Sequence, residues 1–95
     1  MITVTSEVTL WGTVQHCETP HHELAICLYE QAMRVGLEPE IGQHPNGINW
    51  VDFYADDETL TVIYHVAQDD ADRRRFRALA RQRSAAAITA IWFAA

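Results

Sequence analysis

Between Ile2 and Val14 the chain alternates at every step: Ile2, Val4, Ser6, Val8, Leu10, Gly12 and Val14 form one set, and Thr3, Thr5, Glu7, Thr9, Trp11 and Thr13 the other. A period of two sends successive side chains to opposite sides of a strand, so the pattern predicts one long strand with a buried and a wet face. A sheet containing such a strand is covered on one side only. Trp11, standing among threonines, marks the uncovered side as the place to look for function.

Ninety-five residues suffice for one hydrophobic core and not for two, so residues 1–95 read as a single domain. An apolar share of 48% is that of a soluble globular protein. The opening MITVTSEV has neither a basic leader nor an apolar stretch. The longest apolar run, Ala85 to Ala95 interrupted by Thr89, is about half of what a spanning helix needs. A cytoplasmic protein without membrane association is therefore expected, with Cys17 and Cys27 as free thiols.

Charge is segregated along the chain. Thirteen acidic residues and only Arg34 precede residue 73, whereas six arginines and no acid lie from Arg73 to Arg83. A net charge of −6 argues against direct nucleic-acid binding, which draws on distributed cations, and favours a basic protein partner.

Thr19 as N-cap, Pro20 in the first helical position and Gly36 as a left-handed stop predict a helix from Pro20 to Val35. Leu24, Leu28, Ala32 and Val35 form its core stripe, and Glu23, Glu30, Gln31 and Arg34 its polar side. Ile26, Tyr29 and Met33 widen the apolar arc, which asks for cover from a second helix or another subunit. Glu38 to Gln43, with Pro39, suits a short edge strand, and a turn follows at Pro45 to Gly47. Ile48 to Tyr54 and Thr59 to Val66 read as a hairpin around Asp56 and Asp57. That pairing puts Val51, Phe53, Leu60 and Val62 on the core face; Ile48, Trp50, Asp52, Tyr54, Thr61, Ile63 and His65 take the open one.

A second helix over Gln68 to Arg83 turns Phe76, Leu79 and Ala80 inward and the stripe Arg73, Arg74, Arg77 and Arg81 outward. Asp69 with Arg73 and Asp70 with Arg74 are favourable i,i+4 pairs. A last strand is expected from Ala87 to Phe93, with the side taken by Trp92 left open.

The resulting order is βαββαβ plus the short edge strand. It predicts an α+β two-layer sandwich, a mainly antiparallel sheet with two helices on one face. In topology alone it resembles the ferredoxin-like split βαβ fold, which hosts unrelated activities and assigns none.

The densest group of reactive side chains is HCETPHHE, with His16, Cys17, His21 and His22, followed by Cys27. Its spacing matches no established zinc pattern. Cys17 as a nucleophile at a helix start, with His21, His22 or His65 as base, lacks any sign of an oriented base or an oxyanion hole. No glycine-rich phosphate loop, G-x-S-x-G or H-E-x-x-H occurs. No cofactor, no metal and no catalytic residue is expected.

The open face is the stronger surface. Trp11, Ile48, Trp50, Asp52, Tyr54, Ile63 and His65 would form a patch of the kind that binds protein. The chain therefore reads as a small acidic, non-catalytic protein-binding module and a candidate homodimer. A narrower form is an inhibitor whose carboxylates dock on a basic, nucleic-acid-handling partner; the arginine stripe is a secondary charged surface. The alternative is a small-ligand or enzymatic domain using His65, Asp52 and Tyr54.

Overall fold

A computed structural model describes residues 2–94, with side chains through residue 83. The chain forms β1 (Thr3–Thr9), β2 (Gly12–Thr19), α1 (His22–Arg34), β3 (Glu40–Gln43), β4 (Asn49–Tyr54) and α2 (Asp57–Ala94). The four strands make one antiparallel sheet in the order β1-β2-β4-β3. An α+β fold is thus observed, but in the order ββαββα rather than the ferredoxin-like βαββαβ.

The long alternating strand is broken at its tip into a hairpin. Leu10 and Trp11 make a two-residue turn closed by Thr9 and Gly12. Gly12 sits at φ 125°, a conformation that favours glycine. The Thr9 hydroxyl donates to the Gly12 carbonyl at 2.8 Å and accepts from the Trp11 N–H at 3.1 Å. A two-residue turn inverts the parity of the alternation: Val8 pairs with Thr13, Ser6 with Gln15 and Val4 with Cys17, so even positions in β1 share a face with odd positions in β2. Val14, expected inward, therefore faces out beside Tyr54.

Helix α1 lies against β2, β3 and β4. Its C-terminus closes as expected, with Gly36 at φ 79° and the Leu37 N–H donating to the Ala32 carbonyl at 3.0 Å. The start differs slightly: His21 occupies the cap position, and the hydroxyl of Thr19, two residues before it, accepts from its N–H.

The largest departure is α2. The expected hairpin partner Thr59–Val66, the helix Gln68–Arg83 and the strand Ala87–Phe93 are one continuous 38-residue helix. Asp56 is its cap, with Oδ1 accepting from the Thr59 N–H at 2.7 Å and the carbonyl accepting from the Leu60 N–H at 3.0 Å. Asp57 and Glu58 fill the first turn, where the helix dipole favours acids. The run ADDE is a helix start, not a hairpin loop. Leu60, Ile63, Tyr64, Ala67 and Ala71 pack on the core at helical spacing. The orientation of Trp92 lies outside the described residues.

Helix α2 packs on α1 rather than on the sheet, and it does so over the side of α1 that reads as polar. Arg74 bridges Glu23 at 3.0 Å and Glu30 at 2.6 Å, while Gln31 donates to Asp70 at 3.0 Å. Arg73 pairs with Asp70 at i,i+3 instead of with Asp69. Buried Gln15 anchors the start of α2, donating to the Ala55 carbonyl and to Asp57, each at 3.0 Å, and accepting from Ser6 at 2.6 Å. At roughly 57 Å, α2 is nearly three times as long as α1, and every residue from 75 to 83 is exposed. Phe76, Leu79 and Ala80, expected inward, stand on this projecting segment.

Helix and strand place neighbouring residues of the 59–66 segment oppositely. Ile63 is 3% exposed and Val62 62% exposed. Ile63→Ala should lower the unfolding free energy by about 2–4 kcal/mol and Val62→Ala by no more than about 0.5 kcal/mol, read by urea denaturation. A hairpin would reverse that order.

Candidate functional site

Because α1 and α2 stack on one side, the opposite face of the sheet is uncovered. The strand register decides what stands there. One row across the sheet reads Thr5, His16, Asp52 and Glu40; the next reads Thr3, Glu18, Trp50 and Gly42; a third sets Glu7 beside Val14 and Tyr54. Trp50, Asp52 and Tyr54 are thus on the open face, as the alternation in β4 predicts.

The centre of this face is His16. Its Nδ1 is hydrogen-bonded to Asp52, and its Nε2 lies 2.7 Å from Glu18 Oε1. His44, just past β3, brings its Nε2 to 3.4 Å from the same Glu18 oxygen. An imidazole gripped by carboxylates at both nitrogens is stabilised in its doubly protonated form. Hydrogen bonding to Glu18, then to Asp52, outweighs the opposing effect of burial and raises the His16 pKa above 6.5. The same contacts, chiefly with His16, hold Glu18 below its usual carboxylate value.

Trp50 completes the centre. Its ring stacks on His16 with centroids 6.4 Å apart and an interplanar angle of 25°. On the other side it lies across Gly42, where a Cβ would overlap ring atoms Cζ2, Cε2 and Nε1. Glycine at this cross-strand position gives the indole its seat. Beside the histidine, Glu38, Glu40 and Asp52 line a cleft of about 220 Å³ with Val14, Phe53 and Tyr54. Glu38 adopts φ 49° directly before Pro39, a backbone strain borne by a residue of this cleft.

The other residues expected on this surface are elsewhere. Trp11 is 84% exposed at the hairpin tip. Ile48 is half-buried in the turn before β4, Ile63 belongs to the core, and His65 is an exposed residue of α2 whose ring lies against Tyr64. Within the arginine stripe, Arg73 and Arg74 are committed to ion pairs, whereas Arg77 and Arg81 are exposed on the projecting part of α2.

The HCETPHHE group is dispersed by strand geometry. His16 faces out and Cys17 in, and His21 and His22 sit at the exposed start of α1. His21 and His22 border a second cleft, about 260 Å³, with Asp72 and Arg75 of α2. Cys17 is 1% exposed, and burial pushes its thiol up to about 12, which removes it as a thiolate nucleophile. Glu18 and Gly42 as cross-strand partners of Trp50, Glu40 as that of Asp52, and His44 as a neighbour of Glu18 were not legible, although Gly12 inside the alternation signals the turn that brings Glu18 to this face.

No family model, no curated protein and no solved structure matches the chain.

The raised His16 value has a signed consequence. Its stabilisation is complete below pH 6.5 and is lost as pH rises through the higher folded-state value; the Glu18 contribution is complete above pH 4.5 and is lost as pH falls through the lower one. The protein should therefore lose stability as pH rises from 6.5, and His16→Gln should flatten that decline in urea titrations at pH 6 and pH 8.5 with a chelator present. Gly42→Ala should displace the Trp50 ring and shift its fluorescence with little change in far-UV circular dichroism.

Proposed function

We propose that this chain is a non-catalytic protein-binding module that works through the uncovered sheet face and takes a partner with a basic surface. One observation carries the reading: both helices lie on one side, leaving Trp50, Tyr54 and His16 open among Glu7, Glu18, Glu38, Glu40 and Asp52. Tryptophan and tyrosine concentrate binding energy at interfaces, and surrounding carboxylates steer a cationic partner into register. Trp50 is already seated between His16 and Gly42, so little side-chain freedom remains to be lost on docking. In the narrower form the module is an inhibitor, with the carboxylates of the Glu38–Glu40–Asp52 cleft occupying a groove that handles nucleic-acid phosphates. The two unpaired, buried thiols accord with a reducing cytoplasm. No helix among the described residues is long and apolar enough to cross a membrane.

A ligand pocket built from His65, Asp52 and Tyr54 has little support, because His65 lies on α2 while the other two lie on the far face of the sheet.

A second reading, self-association, rests on β1. This seven-residue edge strand has no proline, carries only Glu7 as a charge and is not among the strands against which α1 packs. Val4 is 40%, Val8 84% and Leu10 98% exposed on or beside it. Such an edge is a template for pairing with another copy.

Affinity capture from extracts of the source cell tests the first reading. Wild type should retain a basic protein that salt releases; Trp50→Ser and Glu40→Arg should each reduce retention at least tenfold, and Arg77→Glu with Arg81→Glu should not. Equal retention by the sheet-face variants would refute it. For the second reading, light scattering should show a dimer that Val8→Lys converts to monomer, and a wild-type monomer at all concentrations removes it.

A further inference from the structure

We infer that His16, Glu18 and His44 form a binding site for a divalent transition-metal ion of the zinc class on the uncovered sheet face. One donor atom from each of the three residues lies within 4.8 Å of the other two, and Nε2 of both histidines approaches the same Glu18 oxygen. Two imidazoles and a carboxylate are a ligand set that zinc accepts, with a fourth position left for water or another donor. Imidazole nitrogen also selects against magnesium and calcium, which prefer all-oxygen shells.

The geometry fits such an ion after a small adjustment. Ligands about 2.1 Å from a tetrahedral zinc stand about 3.4 Å apart. His44 Nε2 and Glu18 Oε1 are already separated by 3.4 Å. His16 Nε2 and the same oxygen are 2.7 Å apart, so the ion requires these two to open by less than one ångström. Glu18 is about one-third exposed, and its side-chain torsions supply that movement without a backbone shift.

A separate feature points the same way. Metal-bound histidines commonly donate their other ring N–H to a carboxylate, which fixes the tautomer and the plane of the ring. Asp52 holds Nδ1 of His16 in that manner and thereby aims Nε2 at the common point. Position is further constrained by Trp50, stacked on the His16 ring. His16 and Glu18 project from the same face of β2 as i,i+2 neighbours, and His44 is held by the turn after β3, where its N–H donates to the Ile48 carbonyl at 2.9 Å. The site thus ties β2 to the β3–β4 connection across β4. It is independent of the docking reading, since it needs no partner.

Zinc chloride titrated calorimetrically into untagged, chelator-treated full-length protein provides the test, with Co²⁺ absorption as a second readout. Wild type should bind one equivalent at micromolar or tighter affinity, and Co²⁺ should give the visible bands of a low-coordinate nitrogen–oxygen site. His16→Ala and His44→Ala should each weaken zinc binding at least tenfold, and Asp52→Asn should weaken it about tenfold while retaining one equivalent. His21→Ala with His22→Ala should leave affinity unchanged. His44 is a half-exposed loop residue, so its variant keeps the fold and far-UV circular dichroism verifies this. Absence of binding at 100 µM zinc, taken as about a hundredfold above the expected constant, or unchanged affinity in His44→Ala, would overturn the assignment.

Discussion

The structure depends on α1 being covered from two sides. Leu24, Ala25, Cys27, Leu28 and Ala32 are all 2% exposed or less, and residues from the sheet and from α2 share one cluster with them. A helix buried on one face needs a polar stripe toward water, and α1 has one in Glu23, Glu30 and Gln31. That stripe is turned toward α2 instead: Gln31 is buried, and Glu23 and Glu30 stay partly exposed beside it. Arg74 and Asp70 of α2 satisfy it, so a seam of charge and hydrogen bonds closes beside the small contact residues Ala67 and Ala71.

Everything on the candidate surface follows from this stacking. With both helices on one side, the other face of a four-stranded sheet has no cover, and its pleat sets His16, Glu18, Trp50, Asp52 and Glu40 together in the open. The two groups of helices and strands are locked by few but fully satisfied polar residues. Gln15 joins β1, β2 and the start of α2, and Asn49 joins β4 to the Thr19 carbonyl at 3.1 Å and to His22 at 3.3 Å. Among the described residues no buried side-chain nitrogen or oxygen lacks a partner, which suits a core that fixes one arrangement.

Charge segregation takes on a spatial meaning in the same frame. Glu7, Glu18, Glu38, Glu40 and Asp52 stand on or beside the open face, Glu23 and Glu30 are paired with Arg74 between the helices, and the arginines beyond Arg74 stand on the projecting part of α2. A protein that presents opposite charges at separate places can engage a cationic and an anionic surface independently. His16 adds a titratable group at the centre of the acidic face, its charged form favoured by hydrogen bonds to Glu18 and Asp52.

Local chemistry in the sequence determined α1 with its Gly36 stop, the proline-bearing edge strand, the His44–Gly47 turn, and the outward set Trp50, Asp52 and Tyr54, because caps, turns and strand parity act over a few residues. The same local reading misplaced β1–β2 and α2. Unbroken alternation is the same before and after a two-residue turn, so only Gly12 betrayed the hairpin, and the turn moved Val14 and Glu18 to their faces. Thr59–Val66 is rich in β-branched and aromatic residues that suit a strand, yet Leu60, Ile63 and Ala67 also fit a helix. Packing against α1, together with the Asp56 cap, decided for the helix. The meeting of His16, Glu18, His44 and Asp52 was likewise a matter of tertiary structure, since it needs the register of three strands, and register is set by turns and core burial rather than by any residue of the site.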